Sequence, residues 1–524
     1  MFAIRNHKFN TLHCTKFTGI PTLSPLTSSK GTVSMNPPLK PPLWSFGMLV
    51  LTLVLAALDQ TILSTALPAI ARELSGDWPL AWVFSAYLLA ATVVIVLYGR
   101  MADILGKKSM LLLAIGLFLL GSLACGASQD LQQLVMARAL QGAGGGGLMT
   151  LAMLTVPDLF APAQRGRYQG LLAAAYGIST MFGPLLGGTL VEHWSWHWAF
   201  WLNVPLAALA WGVLAWALPS KRHLTQASTP QESHIRIDWL GAALLAAALV
   251  LLLLATQHGQ LHLSEHLPLW LLLAVGTAFT LTFLGHQYRT PHPLLPLSLF
   301  SRPAYTAVSF IGFATGVALY VAVVFLPQYL QVGLHLSPTG SAWHLFPLMA
   351  GITVAAVVSG KRLRADTPPV LLARVACTLM LLSFGLIVSM LQWHSHAPLA
   401  LSAALLPLGL GLGLLFPIVT VVAQRVSPTH HMGIATAAPI MFRSLGGAAG
   451  VAVLAALLTH WMAEYMAATN APAHNDASTA AMGHGLQLVF ASAAAVVLLA
   501  LWVCGWLPSA QRATVPEGAA RCRP

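Results

Sequence analysis

Charge is scarce in this sequence. Asp, Glu, Lys and Arg make up only 8% of its 524 residues, where a soluble domain carries about 25%. With 57% hydrophobic residues and a mean hydropathy of +0.74, that scarcity excludes a soluble enzyme and leaves a polytopic membrane protein. Cysteine is scarce too. Cys14, Cys125, Cys377, Cys504 and Cys522 are scattered between tails and separate apolar runs, without metal-type or disulfide-type spacing, and imply no redox chemistry. No glycine-rich loop follows a strand, so AGGGG at 143–147, inside an apolar run, is not a nucleotide loop. Alternating barrel-type patterns are absent, and the first forty residues lack the apolar core of a secretory signal.

What is abundant is long apolar runs. A hydrocarbon core of about 30 Å takes roughly 20 helical residues to cross, and runs of that length recur along the whole chain. Fourteen are expected, at 46–67, 80–98, 109–127, 133–156, 169–190, 199–218, 239–257, 268–285, 304–326, 339–359, 371–391, 399–421, 433–458 and 486–507. Helices are the element required, because backbone polar groups cannot stay unpaired in lipid. The fold class is therefore all-α.

The net charge of +12 is a topology signal. With loops assigned alternately to two sides, 23 of the 26 Lys and Arg fall on one side, among them Lys221, Arg222, Lys361, Arg362, Arg364 and Arg374, the last near a run end from which it can snorkel; Arg72 alone lies opposite, and Arg138 and Arg443 lie deep inside spans. Asp and Glu divide almost evenly, as they do when basic residues set orientation. Both termini are expected to be cytoplasmic in a multi-pass inner-membrane protein, and nucleic acid is not a partner.

Connections at 219–238 and 286–303 bracket the seventh and eighth runs, so the chain divides as six, two and six. The expected organisation is a disordered tail at 1–43, a six-helix bundle at 44–218, a linker carrying two additional helices at 219–303, a second six-helix bundle at 304–507 and a tail at 508–524. MNPPLKPPLW from Met35 reads equally well as a beginning, leaving the standing of residues 1–34 open. The fifth run of each half carries small residues at four-residue spacing, Ser179, Gly183 and Gly187 in one and Gly446 and Gly450 in the other. Such spacing lets helix backbones approach closely, and pseudo-repeats are a common transporter plan.

Four stretches add detail. LDQTILSTALP from Leu58 places Asp59 in a run, Leu43 to Ile70, otherwise free of formal charge; GRMADILGKKSM spans 99–110; MARALQGAGGG spans 136–146; and STMFGPLLGG spans 179–188. In order and position they resemble the motifs of the Major Facilitator Superfamily, and with fourteen runs they resemble its EmrB/QacA-type drug:proton antiporters. Departures are Ser64 and Thr65 in the first, Ile104 in the second where a basic residue is usual, and Ser179 in the fourth where a further glycine is usual.

The resemblance implies that Gly99, Arg100, Asp103, Gly106, Lys107 and Lys108 form a conformational latch between halves. By the residues alone, glycines there permit a tight reversal and Asp103 can cap or pair with a neighbouring helix end. It also implies that Gly183, Pro184, Gly187 and Gly188 keep the carrier from leaking protons, where simple close packing is the plainer reading. An ionised acid inside a span normally finds a partner. Asp59 and Arg138 lie at similar expected depth, so a pair is feasible, and movement between two facing states would switch proton affinity. An ion pair that only fixes helix packing is the alternative.

Gln141, Gln328, Trp343, His344 and Arg443 are the expected substrate-cavity residues. If Asp59 takes Arg138, Arg443 has no acid at its depth, and it either bonds backbone carbonyls or meets substrate. In the second case neutral or anionic amphiphiles are favoured over quaternary cations. His258, His262 and His266 beside Glu265 repeat at four-residue spacing, but in a short loop without a further ligand they read as solvated, so no metal is expected. The function expected is proton-coupled export of drugs or small amphiphiles, with a specific metabolite or siderophore exporter as the alternative. No histidine–acid or nucleophile cluster at one membrane face suggests an enzyme, and no cofactor is implied. The partners are the cargo, protons and lipid; no periplasmic adaptor can be named.

Overall fold

The computed structural model describes residues 43–74, 80–218, 238–256, 268–363, 368–392, 397–428, 431–469 and 475–508. They are helical almost throughout. The first half contains α1 (Leu43–Glu73), α2 (Ala81–Leu105), α3 (Lys107–Gly126), α4 (Leu131–Leu159), α5 (Pro162–His193), α6 (Trp198–Trp201) and α7 (Asn203–Ala217). An extra pair follows, α8 (Trp239–Thr256) and α9 (Leu269–Arg289). The second half contains α10 (Pro303–Gln328), α11 (Pro338–Trp343), α12 (Phe346–Arg362), α13 (Pro369–Gln392), α14 (Pro398–Val426), α15 (Met432–Thr469) and α16 (Asn475–Val503). Among the described residues thirteen stretches are long and apolar enough to cross a membrane, two of them formed jointly by α6 with α7 and by α11 with α12. The eighth element, α8, contributes a shorter apolar stretch, Trp239–Leu252.

Local chemistry sets the helix starts. Asp130 accepts the Gln133 N–H at 2.7 Å and caps α4, while Pro162, Pro303, Pro338 and Pro398 occupy first turns where a missing N–H costs nothing. Gly106 alone separates α2 from α3, at φ 94°, a conformation open to glycine and strained for other residues. Several helices outrun their apolar cores. α5 extends to Pro162–His193 and α15 to Met432–Thr469, because backbone pairing continues into the polar flanks that hydropathy leaves out.

The helix contacts recur between halves. α3 packs on α4 and α7 as α13 packs on α14 and α16; α2 packs on α4 as α12 does on α14; α1 packs on α5 as α10 does on α15. Across the halves α5 lies against α12 and α15 against α2, the same pairing with the halves exchanged. α9 contacts chiefly α8, which meets the remainder mainly through α2 and α15, so the extra pair lies to one side of the other helices.

Lys221, Arg222 and Arg364, the histidines at 258, 262 and 266 with Glu265, both terminal tails, Cys14 and Cys522 lie outside the described residues. Cys377 and Cys504, 127 positions apart, meet with sulfurs 3.8 Å apart. Linear spacing does not register a contact between α13 and the turn after α16.

Candidate functional site

Asp59 lies near the middle of α1 and is 2% exposed. Its carboxylate receives three donors: Arg138 Nη1 on Oδ2 at 2.7 Å, Gln141 Nε2 on Oδ1 at 2.7 Å and Asn203 Nδ2 on Oδ1 at 3.0 Å. Arg138 Nη1 also donates to Gln141 Oε1 at 2.6 Å and Arg138 Nε to the Val83 carbonyl at 3.2 Å. Gln141 donates in turn to Ser122 Oγ at 2.8 Å. Arg138 and Gln141 are three residues apart on α4, which puts both on the face that meets α1. The guanidinium carbon sits 4.3 Å from the Tyr87 ring centre and 5.7 Å from that of Phe200, so aromatic faces cover part of the cation. Its Nη2 is buried without a hydrogen-bond partner.

Helix packing makes this network possible. A Cβ on Gly142 would fall on the Tyr87 carbonyl, one on Gly146 on the Ala91 carbonyl, and one on Gly144 on the Phe118 backbone nitrogen. Glycines in 142–147 therefore bring α4 into backbone contact with α2 and α3, drawing Arg138 into the bundle. Asn203, Ser122 and Tyr87 were not among the sequence candidates. Asn203 had a legible signal, as the single amide in the apolar stretch 198–218; the other two did not.

The motif at 99–110 divides by function in a way the sequence does not display. Gly106 makes the reversal, whereas Gly99 is helical and serves close approach: a Cβ there would lie 2.5 Å from Ala437 Cβ and 2.8 Å from the Gly433 carbonyl oxygen. Asp103 accepts the backbone N–H groups of Gly433 at 2.7 Å and Ile434 at 3.3 Å, at the start of α15. Arg100, 5% exposed, approaches His431 Nδ1 at 3.5 Å. The lysines stay within the first half, Lys107 paired with Asp158 at 2.6 Å and Lys108 donating to the Leu218 carbonyl at 2.7 Å.

In the fifth-helix motif Gly183 is buried, and a Cβ on it would strike Thr61 Oγ1, two residues beyond Asp59. Gly187 is buried as well, whereas a Cβ on Gly188 would meet nothing within 4 Å. Pro184 lies within α5.

A central chamber opens where α1, α2, α4 and α5 face α10 and α15. Arg443 lines it; the other expected cavity residues do not. Gln141 is fully buried in the Asp59 network. Gln328 is exposed at the end of α10, Trp343 is 59% exposed at the end of α11, and His344 contacts the Ser402 hydroxyl. Their polarity is used at helix ends and in a helix-to-helix hydrogen bond. Gln60, Tyr176 and Tyr320 line the chamber instead, three residues that sequence reasoning did not select.

An all-helical polytopic body, with a buried carboxylate network beside a chamber between its two halves, is the architecture of a membrane carrier. The chain belongs to the Major Facilitator Superfamily, whose sequence profile matches residues 49–451. It is 34% identical over 422 residues to an uncharacterized MFS-type transporter of Mycobacterium tuberculosis, a match covering 80% of this chain but 59% of that longer protein. It is 29% identical over 415 residues to the multidrug transporter protein MdtP of Bacillus subtilis, covering 78% of this chain and 74% of MdtP. Among solved structures, the human organic anion transporter MFSD10 (TETRAN) superposes with a TM-score of 0.60 at 17% identity, covering 88% of this chain and 99% of that one. At that identity the likeness establishes the fold.

Proposed function

We propose that the protein is a proton-driven antiporter of the fourteen-span EmrB/QacA type, exporting small amphiphilic molecules across the cytoplasmic membrane with both termini in the cytoplasm. The halves, 44–218 and 304–507, alternate access to the central chamber, and the pair at 239–285 rides outside them. The carrying observation is the Asp59 network. Three donors converge on one dry carboxylate, and its chain neighbour Gln60 lines the chamber. A carboxylate held by Arg138 in one facing state and released to water in the other binds and loses a proton as the halves move. Relation to MdtP, a multidrug transporter, supports drug-like cargo.

The test is transport in proteoliposomes with an imposed pH gradient. Wild type should drive dye export and acidify the compartment the dye leaves, and Asp59→Asn, less stable but still folded and monodisperse, should have lost gradient-driven movement. Full gradient-driven export by Asp59→Asn would remove the proton role.

A further inference from the structure

The central chamber contains an unbalanced charge. Its polar lining includes Gln60, Tyr176, Tyr320, Arg443 and Ser444, and among the described residues no Asp or Glu lines it. Asp59, beside Gln60, is committed to Arg138. Arg443 Nη2 lies 3.0 Å from Met149 Sδ, and its guanidinium carbon 5.0 Å from the Phe416 ring centre; neither group carries a compensating negative charge. Among the described residues no carboxylate lies within ion-pair distance of it. Tyr176 and Tyr320 line the same chamber as this guanidinium. They stand on opposite halves, Tyr176 on α5 and Tyr320 on α10.

The arrangement is held by close packing. A Cβ on Gly316 of α10 would strike the Arg443 carbonyl, and one on Gly447 would lie 2.5 Å from the Tyr320 ring. Both glycines bring α10 and α15 together where the cation and the phenol sit. The chamber has only about 50 Å³ free in this state, space for a water or two, so cargo enters when the halves part.

A cation in a poorly solvated chamber gains from an anion and repels a second cation, and among the described residues no acid lines the chamber to reverse that preference. Arginine suits a planar carboxylate, which it receives through two parallel N–H groups, and tyrosine hydroxyls can donate to the same oxygens. The rings and Met149 offer polarisable surface for an aromatic body. We propose that the preferred cargo is an aromatic amphiphile bearing a carboxylate, received by Arg443 with the Tyr176 and Tyr320 hydroxyls closing on it from the two halves. This rests on the export reading above. It also sets the charge balance. One anion outward with one proton inward moves two positive charges inward, so the membrane potential adds to the proton gradient as a driving force, whereas one-for-one exchange of a monovalent cation would be electroneutral.

The experiment compares carboxyfluorescein with ethidium in two arms. In detergent without a gradient, wild type should bind carboxyfluorescein at least ten-fold more tightly than ethidium. Arg443→Gln should lose at least ten-fold in affinity for the anion while binding ethidium at least as tightly as wild type, which certifies a folded chamber. Arg443→Lys should retain part of the anion binding. Tyr176→Phe and Tyr320→Phe, which preserve packing, should each weaken anion binding several-fold. In proteoliposomes a potassium diffusion potential, inside the transporter's own cytoplasmic face negative, should accelerate carboxyfluorescein export. Equal or tighter ethidium binding by wild type, or unchanged anion binding in Arg443→Gln, overturns the cargo assignment, even if gradient-driven ethidium export upholds the antiport reading. Selective anion binding that Arg443→Gln abolishes supports the assignment even if no gradient drives transport, an outcome that overturns antiport alone.

Discussion

Asp103 on α2 accepts the Gly433 N–H at 2.7 Å, so a carboxylate of the first half caps the first turn of a helix in the second. An anion at a helix N-terminus contributes about 0.3 to 2 kcal/mol. Asp103→Asn should therefore shift the population of this closed arrangement by roughly two- to thirty-fold. Gly99→Ala should act in the same direction, since its Cβ would lie 2.8 Å from the Gly433 carbonyl oxygen. Spin labels at Leu105 and Ser427 measure it. Unchanged distance distributions in both variants would show that the contact does not hold the halves.

The Asp59–Arg138 pair is fully buried, with side-chain exposures of 1% and 0%. Removing one partner leaves an uncompensated charge and costs about 3 to 5 kcal/mol. Arg138→Gln alone should lower the unfolding temperature strongly, whereas Asp59→Asn with Arg138→Gln should recover most of the loss without recovering transport. Thermal unfolding of the purified variants beside proteoliposome assays separates packing from coupling.

Gly183 and Gly188 belong to the same motif and have opposite surroundings. Gly183→Ala places a methyl on Thr61, an overpacking that costs about 1 to 3 kcal/mol. Gly188→Ala meets open space and should leave stability within about 0.5 kcal/mol. Loss of coupling in the Gly188 variant at unchanged stability would mean that this glycine closes against a neighbour in the other facing state; retained coupling would confine the packing role to Gly183.

Asp238, just before α8, ties the extra pair to the connector that leads to α10. It accepts from the Gly241 N–H at 2.7 Å, His286 Nε2 at 2.9 Å and Gln287 Nε2 at 2.8 Å, and Gln287 Oε1 accepts the Leu295 N–H at 3.0 Å. Burial opposes its charge, but the hydrogen bonds from His286, Gly241 and Gln287 outweigh it and hold the carboxyl below its ordinary value. A depressed native value stabilises the fold above the unfolded value and is lost as the pH falls through the native one. The stability difference between wild type and Asp238→Asn should therefore stand at neutral pH and shrink below about pH 4. Melting curves across that range check it.

Orientation is tested by fusions. Reporters placed after residues 225 and 510 should read cytoplasmic and one after residue 262 periplasmic, as the basic asymmetry dictates. Opposite readings at 225 and 510 would break the fourteen-span arrangement.

The membrane class and the helical element follow from the sequence, because lipid admits few backbone solutions and a charge-free run of about 20 residues has one outcome. The isolation of Asp59 and the break at Gly106 were also legible, since each rests on a local property, one charge in an apolar run and one residue free to adopt positive φ. Tertiary structure decided which residues meet. Gln141 turned inward to bridge Asp59 and Arg138 while Tyr176 and Tyr320 came to the chamber with Arg443. Helix contacts depend on rotation about each axis and on which glycines face a neighbour. A nearly uniform apolar helix, unlike an amphipathic one, carries little periodicity from which that rotation could be read.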